Sequence, residues 1–229
     1  MSLRVRLRFT KSLLRRSELM SFAVGFCCLG LCATIMVHVW LFQAYQNWAF
    51  EQELGGEPVS ISGFLTQAVA FSEPATLPPL VPSAAGLATP QAGFPAAGYQ
   101  SVVGRIEIPR IGLKAIILEG ATRRTLALAV GHIPGTPLPG GKGNAGLAAH
   151  RDTFFRGLSN IQLGDTIVVT TLEGSFEYRV ESCRVVGPRD TRVLENSEEA
   201  VLTLVTCYPF HYLGPAPERF IVRATRAAG

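Results

Sequence analysis

A mainly β domain folded as a closed or nearly closed barrel, preceded by one transmembrane helix, is the fold class this sequence predicts. Three observations lead to it. Beyond Val102 the chain divides into many short β-prone runs separated by Gly/Pro turns, with only two short helical stretches among them. Before that region, Leu19 to Phe42 is almost uninterrupted apolar sequence. Between the two lies a stretch rich in Pro, Ala, Gly and Ser. The layout expected is a basic tail (1–18), a transmembrane signal anchor (19–43, its helix able to continue to 54), a linker (55–100) and a barrel domain (101–226).

The tail and anchor are read together. The chain has 229 residues and a net charge of +4, but the charge is uneven. Arg4, Arg6, Arg8, Lys11, Arg15 and Arg16 crowd the N-terminus, and no Lys or Arg follows until Arg105. A basic N-terminus alone fits a solvated tail or a nucleic-acid arm. The apolar run behind it favours the membrane, with no nucleic-acid partner. At about 1.5 Å rise per residue the run exceeds the roughly 30 Å hydrocarbon core. His38 is its only strongly polar member, and Trp40 and Trp48 suit an interfacial belt. The positive-inside rule then places the N-terminus in the cytoplasm and the C-terminal bulk outside. A cleaved signal peptide has a shorter apolar stretch, about 7–15 residues, and bulky Phe26 and Leu31 precede Cys27 and Cys32, unlike a lipoprotein site. The expectation is an uncleaved anchor in a single-pass membrane protein, contacting lipid through this helix. Cys27, Cys28 and Cys32 lie within it, where cysteine behaves as a small hydrophobe.

Gly55-Gly56 breaks the helix, and the linker follows, with Leu65–Phe71 able to form a helical turn. Gly104–Ile108 alternates as a strand until Pro109, and Leu113–Leu118 forms a second between Gly112 and Gly120. Thr122 caps a short helix, Arg123–Ala129. His132 to Gly143 reads as a Pro/Gly loop, and Ala145–His150 as a short buried strand. Asp152–Leu158 suits one helical turn with Phe154, Phe155 and Leu158 inward. Gly164-Asp165 turns into Thr166–Leu172, and Glu173-Gly174 signals a hairpin to the long strand Ser175–Val186. After a loop, Pro188–Leu194, come the strands Val201–Cys207 and Phe220–Thr225.

The chemistry concentrates at strand ends. Cys207 closes a β-prone run and meets the turn-like Tyr208-Pro209-Phe210, a place where a nucleophile is both held and exposed. His150 ends another run, and Arg219 opens a third. A cysteine, a histidine and an arginine so placed form a catalytic constellation: a thiolate nucleophile, an imidazole to move protons, and a permanent cation for a developing oxyanion. Residue types leave alternatives. Cys207 could be a core cysteine or pair with Cys183. His132 and His211 rival His150, and Arg223, on the same strand face as Arg219, rivals it. No histidine–cysteine cluster has zinc spacing, no phosphate loop is present, and the chemistry requires no cofactor.

Thr203-Leu204-Val205-Thr206-Cys207 resembles the TLxTC signature of sortases, the membrane-anchored cysteine transpeptidases of bacteria. Asn144 to Asp165, with His150, resembles the sortase histidine region, and Glu218-Arg219-Phe220-Ile221-Val222 the arginine strand. The likeness runs from about Val102 to Thr225, and the context of Tyr208-Pro209-Phe210 and Ala216-Pro217-Glu218-Arg219 is most similar to the class D and class E branches. The resemblance implies an eight-stranded barrel outside the bacterial cytoplasmic membrane, and selects Cys207, His150 and Arg219 for catalysis. It implies protein substrates carrying a C-terminal sorting signal related to LPxTG, and an amine acceptor on the cell envelope or a pilin subunit. Candidates for contacting substrate are Thr206, Ala149, Tyr208, His132 and Asp190. A peptidase releasing its product to water, or a non-catalytic binding module, remain as alternatives at this point.

Overall fold

The computed structural model describes residues 3–70, 101–212 and 214–227, with the backbone alone for 3–16 and 67–70. The Pro/Ala/Gly stretch of the linker from 71 to 100 and the side chains of Arg4–Arg16 lie outside the described residues. Two compact units result, residues 1–44 and 45–229.

The first unit carries most of α1 (Leu3–Gly55). Its stretch from Ser17 includes a window of mean hydropathy 2.2, none of it buried, and is long and apolar enough to cross a membrane. The last turns of α1 belong to the second unit. There Ala49 and Phe50 are buried, Glu51 is ion-paired to Arg105, and the Arg105 guanidinium lies over the Phe50 ring at 5.9 Å. α2 (Ile61–Ala70) replaces the expected turn at Leu65–Phe71, of which Phe71 lies outside the description. Its Phe64 packs against Tyr45 and Trp48, with centroids 5.3 and 5.6 Å apart.

Eight strands close into a barrel: β1 (Val102–Ile108), β2 (Leu113–Glu119), β3 (Val130–His132), β4 (Gly143–Ala148), β5 (Thr166–Thr171), β6 (Gly174–Val186), β7 (Ala200–Tyr208) and β8 (Glu218–Arg226). Their order around the barrel is β1-β2-β3-β4-β7-β8-β6-β5, with β5 returning to β1. Side-chain alternation separates the faces. Ala145, Leu147 and Ala149, Leu202 and Leu204, and Val222 and Ala224 join the core from β4 with its extension, β7 and β8. Tyr178, Phe155 and Leu158 fill it further, the last two from the 3-10 segment Phe154–Asn160 where one helical turn was expected.

Most elements sit where alternation predicts. The strand expected at Ala145–His150 ends at Ala148, two residues before the histidine, and β7 continues one residue past Cys207. The stretch Pro188–Leu194, expected as a loop, ends in a 3-10 turn, Thr191–Leu194. β3 is the strand the sequence conceals. It has three residues, and its central Gly131 supplies no β signal, yet a Cβ there would lie 2.4 Å from the Gly120 carbonyl oxygen. Its pairing with β2 is parallel, so a crossover is needed, and α3 (Arg123–Leu128) supplies it. Thr122 caps α3, its hydroxyl accepting from Thr125 N–H at 3.2 Å.

Candidate active site

Three neighbouring strands build the site. β4 runs parallel to β7 in the register Ala148 opposite Val205, and the contact continues as Ala149 N–H donates to the Val205 carbonyl at 3.3 Å. Extended by two positions, that register sets His150 level with Cys207. β7 runs antiparallel to β8 with Cys207 directly opposite Arg219. Since 202, 204, 222 and 224 face the core, 207 and 219 fall on the outer face, and the alternation of 145, 147 and 149 puts 150 on that same side. Cys207 and Arg219 are therefore neighbours on one face of β7 and β8, and the β4 register continued past Ala148 brings His150 into a row with them, about 5 Å per step. All three are partly exposed.

The residues beneath the row hold it. Thr206, buried, donates its hydroxyl to the Ala149 carbonyl at 2.8 Å, so the residue before Cys207 binds the residue before His150. Thr206 and Ala149 thus face inward, not along the outer row. The His150 carbonyl accepts from Phe155 N–H at 3.1 Å, fixing the turn that leaves β4. Arg219 Nη1 donates to the carbonyls of Glu218 at 2.8 Å and Ala216 at 3.3 Å. Tyr208 stacks with Phe220 and meets Phe210 edge-on, with centroids 6.2 and 5.9 Å apart. This aromatic cluster lies at the end of β7, where the Tyr208–Pro209 peptide is cis.

The other candidates stand elsewhere. His132 is buried at the end of β3, with Nδ1 2.8 Å from Glu119 Oε2 and Nε2 3.0 Å from the Pro137 carbonyl and 3.1 Å from Thr136 Oγ1. Its register partner is Leu147, three residues before His150. Asp190 caps the 3-10 turn Thr191–Leu194 and pairs with Arg192, Nε to Oδ1 at 2.9 Å. Hydrogen bonding to Arg192 holds its carboxyl below the ordinary range. Asn144 ties that turn to the beginning of β4 by donating to the Val193 and Glu195 carbonyls, both at 3.0 Å. A concavity of about 600 Å³ near Ser101, Glu119 and Thr122 contains no member of the row.

The two cysteines outside the apolar helix are both free thiols. Cys183 packs against the core from β6, and burial, with the nearby Asp165 charge, pushes its thiol up and keeps it protonated. One residue of evident consequence escaped the sequence reading. Arg151, next to His150, donates to three carbonyls of the β7–β8 connection. A cation immediately after the histidine was the available signal, but its partners are about 60 residues away and only the fold brings them near.

The eight-stranded closed barrel is that of a sortase, and the chain belongs to the sortase family: the sortase domain matches residues 106–227, over half of its 229 residues. Among curated relatives it is similar to sortase D of Bacillus subtilis, 36% identical over 124 residues, which are 54% of this chain and 63% of that protein. It is also similar to sortase A of Listeria monocytogenes, 32% identical over 49% of this chain and 53% of that protein. The chain thus spans between half and two thirds of these relatives. Among solved structures, sortase C of Clostridium perfringens matches with a TM-score of 0.52 at 32% identity, over 57% of this chain and 72% of that one. Sortase A of Corynebacterium diphtheriae matches with a TM-score of 0.53 at 30% identity, over 58% and 63%.

Proposed function

We propose that this chain is a membrane-anchored cysteine transpeptidase that cleaves a C-terminal sorting signal related to LPxTG and transfers the protein to an amine of the cell envelope or of a pilin subunit. What supports this reading is the β7–β8 pairing that sets Cys207 opposite Arg219, and the β4–β7 register that, continued two residues past Ala148, brings His150 level with Cys207. The Cys207 thiolate attacks the carbonyl carbon of the scissile peptide, forming the S–C bond. The carbonyl oxygen takes up negative charge beside the Arg219 guanidinium. As the intermediate collapses, the C–N bond breaks and His150 delivers a proton to the departing amine. The resulting thioester is attacked by an incoming amine, His150 accepts its proton, and the thiolate is regenerated.

The apolar stretch from Ser17 and the basic residues before it support a single-pass anchor, N-terminus inside, with the barrel outside the cytoplasmic membrane. The test uses full-length protein in detergent, an LPxTG-type peptide and a small primary amine, with intact-protein mass spectrometry for the acyl adduct. An adduct on Cys207 and an amine-linked product are expected. Hydrolysis alone, with amine present, would make the enzyme a peptidase. Absence of any adduct across a panel of sorting-signal peptides would overturn the reading.

A further inference from the structure

The connection between β7 and β8 leaves the sheet after Tyr208 and returns at Glu218, so it joins the proposed nucleophile to the proposed oxyanion cation. Phe210, at its start, packs against the core, but His211, Tyr212, Gly214 and Pro215 are exposed. Among its described residues, 211, 212, 214 and 215 offer little apolar burial to hold that exposed part. Arg151 holds it by polar contacts. Arg151 Nη1 donates to the Pro209 carbonyl at 2.9 Å, and Nη2 to the carbonyls of Tyr212 at 2.6 Å and Gly214 at 3.1 Å. Its guanidinium carbon lies 5.9 Å from the Tyr212 ring centroid. Two residues beyond Gly214, the Ala216 carbonyl accepts from Arg219 Nη1 at 3.3 Å. A chain of contacts thus runs from the residue beside His150, through the connection, to Arg219.

We propose that Arg151 is a positioning residue: its guanidinium clamps the β7–β8 connection and thereby sets the Arg219 side chain beside Cys207. The assignment rests on the reading of the row as the active site. Geometry explains why arginine occupies the position. A planar fork can reach three carbonyls in different directions, whereas an ammonium offers its donors from a single point. Charge alone is therefore insufficient, which separates the clamp from a simple electrostatic influence of a cation next to His150.

The experiment compares full-length wild type with Arg151→Lys, Arg151→Ala, Arg219→Ala and the double variant Arg151→Lys/Arg219→Ala. Turnover is read with the LPxTG-type peptide and amine, folding by circular dichroism, and the connection by chymotrypsin cleavage at Tyr212. Arg151→Lys should lower kcat by about 10–100-fold, the scale of a misplaced catalytic group, with KM changed far less and the pH profile unmoved. Tyr212 should be cut at least about tenfold faster, the expected response of a segment whose opening costs less. The double variant should be no slower than Arg219→Ala, because both changes act through one group. Wild-type kcat in Arg151→Lys, or additive losses in the double variant, would overturn the proposal. So would wild-type Tyr212 cleavage in both Arg151 variants. Should the wild type itself form no adduct with any peptide, the functional reading fails, while the cleavage arm still decides whether the clamp exists.

Discussion

At the residue scale, the roles proposed for His150, Cys207 and Arg219 can be tested by removing one group at a time. Cys207→Ala should abolish the acyl adduct, because no other accessible sulfur stands in the row. His150→Ala should cost about 10²–10⁴-fold in turnover, the worth of a general acid–base, and Arg219→Ala about 10²–10³-fold, the worth of an oxyanion donor. Cys183→Ala and Arg223→Ala should stay near wild type in the same transpeptidation assay, and an inactive Arg223→Ala beside an active Arg219→Ala would reverse the arginine assignment. Asp165 offers a test of stability. Desolvation is the largest single influence on its carboxyl and raises it, but hydrogen bonds from Arg110 and the Gln162 N–H, with the Arg110 charge, together outweigh it and leave the group below 3.8. A depressed carboxyl contributes stability above its unfolded value, and that contribution is lost as pH falls through the folded value. Asp165→Asn should therefore cost about 1–2 kcal/mol at neutral pH, with the difference closing below about pH 4, the ordinary range for aspartate. Denaturant melts at several pH values measure it, and a difference independent of pH would exclude the Arg110–Asp165 pair as its source.

At the element scale, what could be read in the sequence depended on periodicity. Long alternating runs such as Ser175–Val186 announce themselves, and the bond between Thr206 and Ala149 does not, because it exists only once β4 and β7 are in register. Cys207, His150 and Arg219 were expected at strand ends, but that Cys207 pairs with Arg219 while β7 also lies beside the distant β4 is a property of the closed sheet. β3 was hidden by its length and by Gly131, and His132 consequently looked like a loop residue free to line a site. Its buried contacts with Glu119, Thr136 and Pro137 predict a different phenotype. His132→Ala should lose about 1–3 kcal/mol through unmade buried hydrogen bonds while folded protein keeps its kcat; loss of kcat without loss of stability would return His132 to the active site. The end of α1 also acts beyond its sequence appearance. Composition assigned the barrel to residues from 101 onward, whereas Ala49 and Phe50 are buried and Glu51 pairs with Arg105 in the same compact unit. A truncated protein beginning at Tyr45 should therefore be more stable than one beginning at Gln100, and Phe50→Ala in the longer form should remove about 3 kcal/mol, as large-to-small core changes do. Equal urea midpoints for the two truncations would show that the helix end contributes nothing to the barrel.

At the scale of the whole molecule, the proposed chemistry constrains where each part can be. The proposed sorting signal and envelope amine meet outside the cytoplasmic membrane, so the proposed function requires the barrel there and the basic tail inside. The sequence separates its charge accordingly: six basic residues precede the apolar stretch, and none occurs between Arg16 and Arg105. Moving the tail across would carry those charges through the hydrocarbon core, which is the asymmetry behind the positive-inside rule. The same asymmetry makes the orientation reversible by design. Replacing Arg4, Arg6, Arg8, Lys11, Arg15 and Arg16 with neutral residues, and adding lysines just after Leu54, should shift a measurable share of molecules to the opposite orientation. The readout is a pair of C-terminal fusions, one to a reporter active only outside the membrane and one to a reporter active only in the cytoplasm. Wild type should score with the first alone, and the charge-swapped protein should gain signal with the second. Its row of His150, Cys207 and Arg219 should remain competent in detergent extract, because the barrel carries its own core, while anchoring in cells should fall with the share of inverted molecules. Cytoplasmic reporter activity in the wild type would refute the orientation and, with it, the envelope substrates proposed for the enzyme.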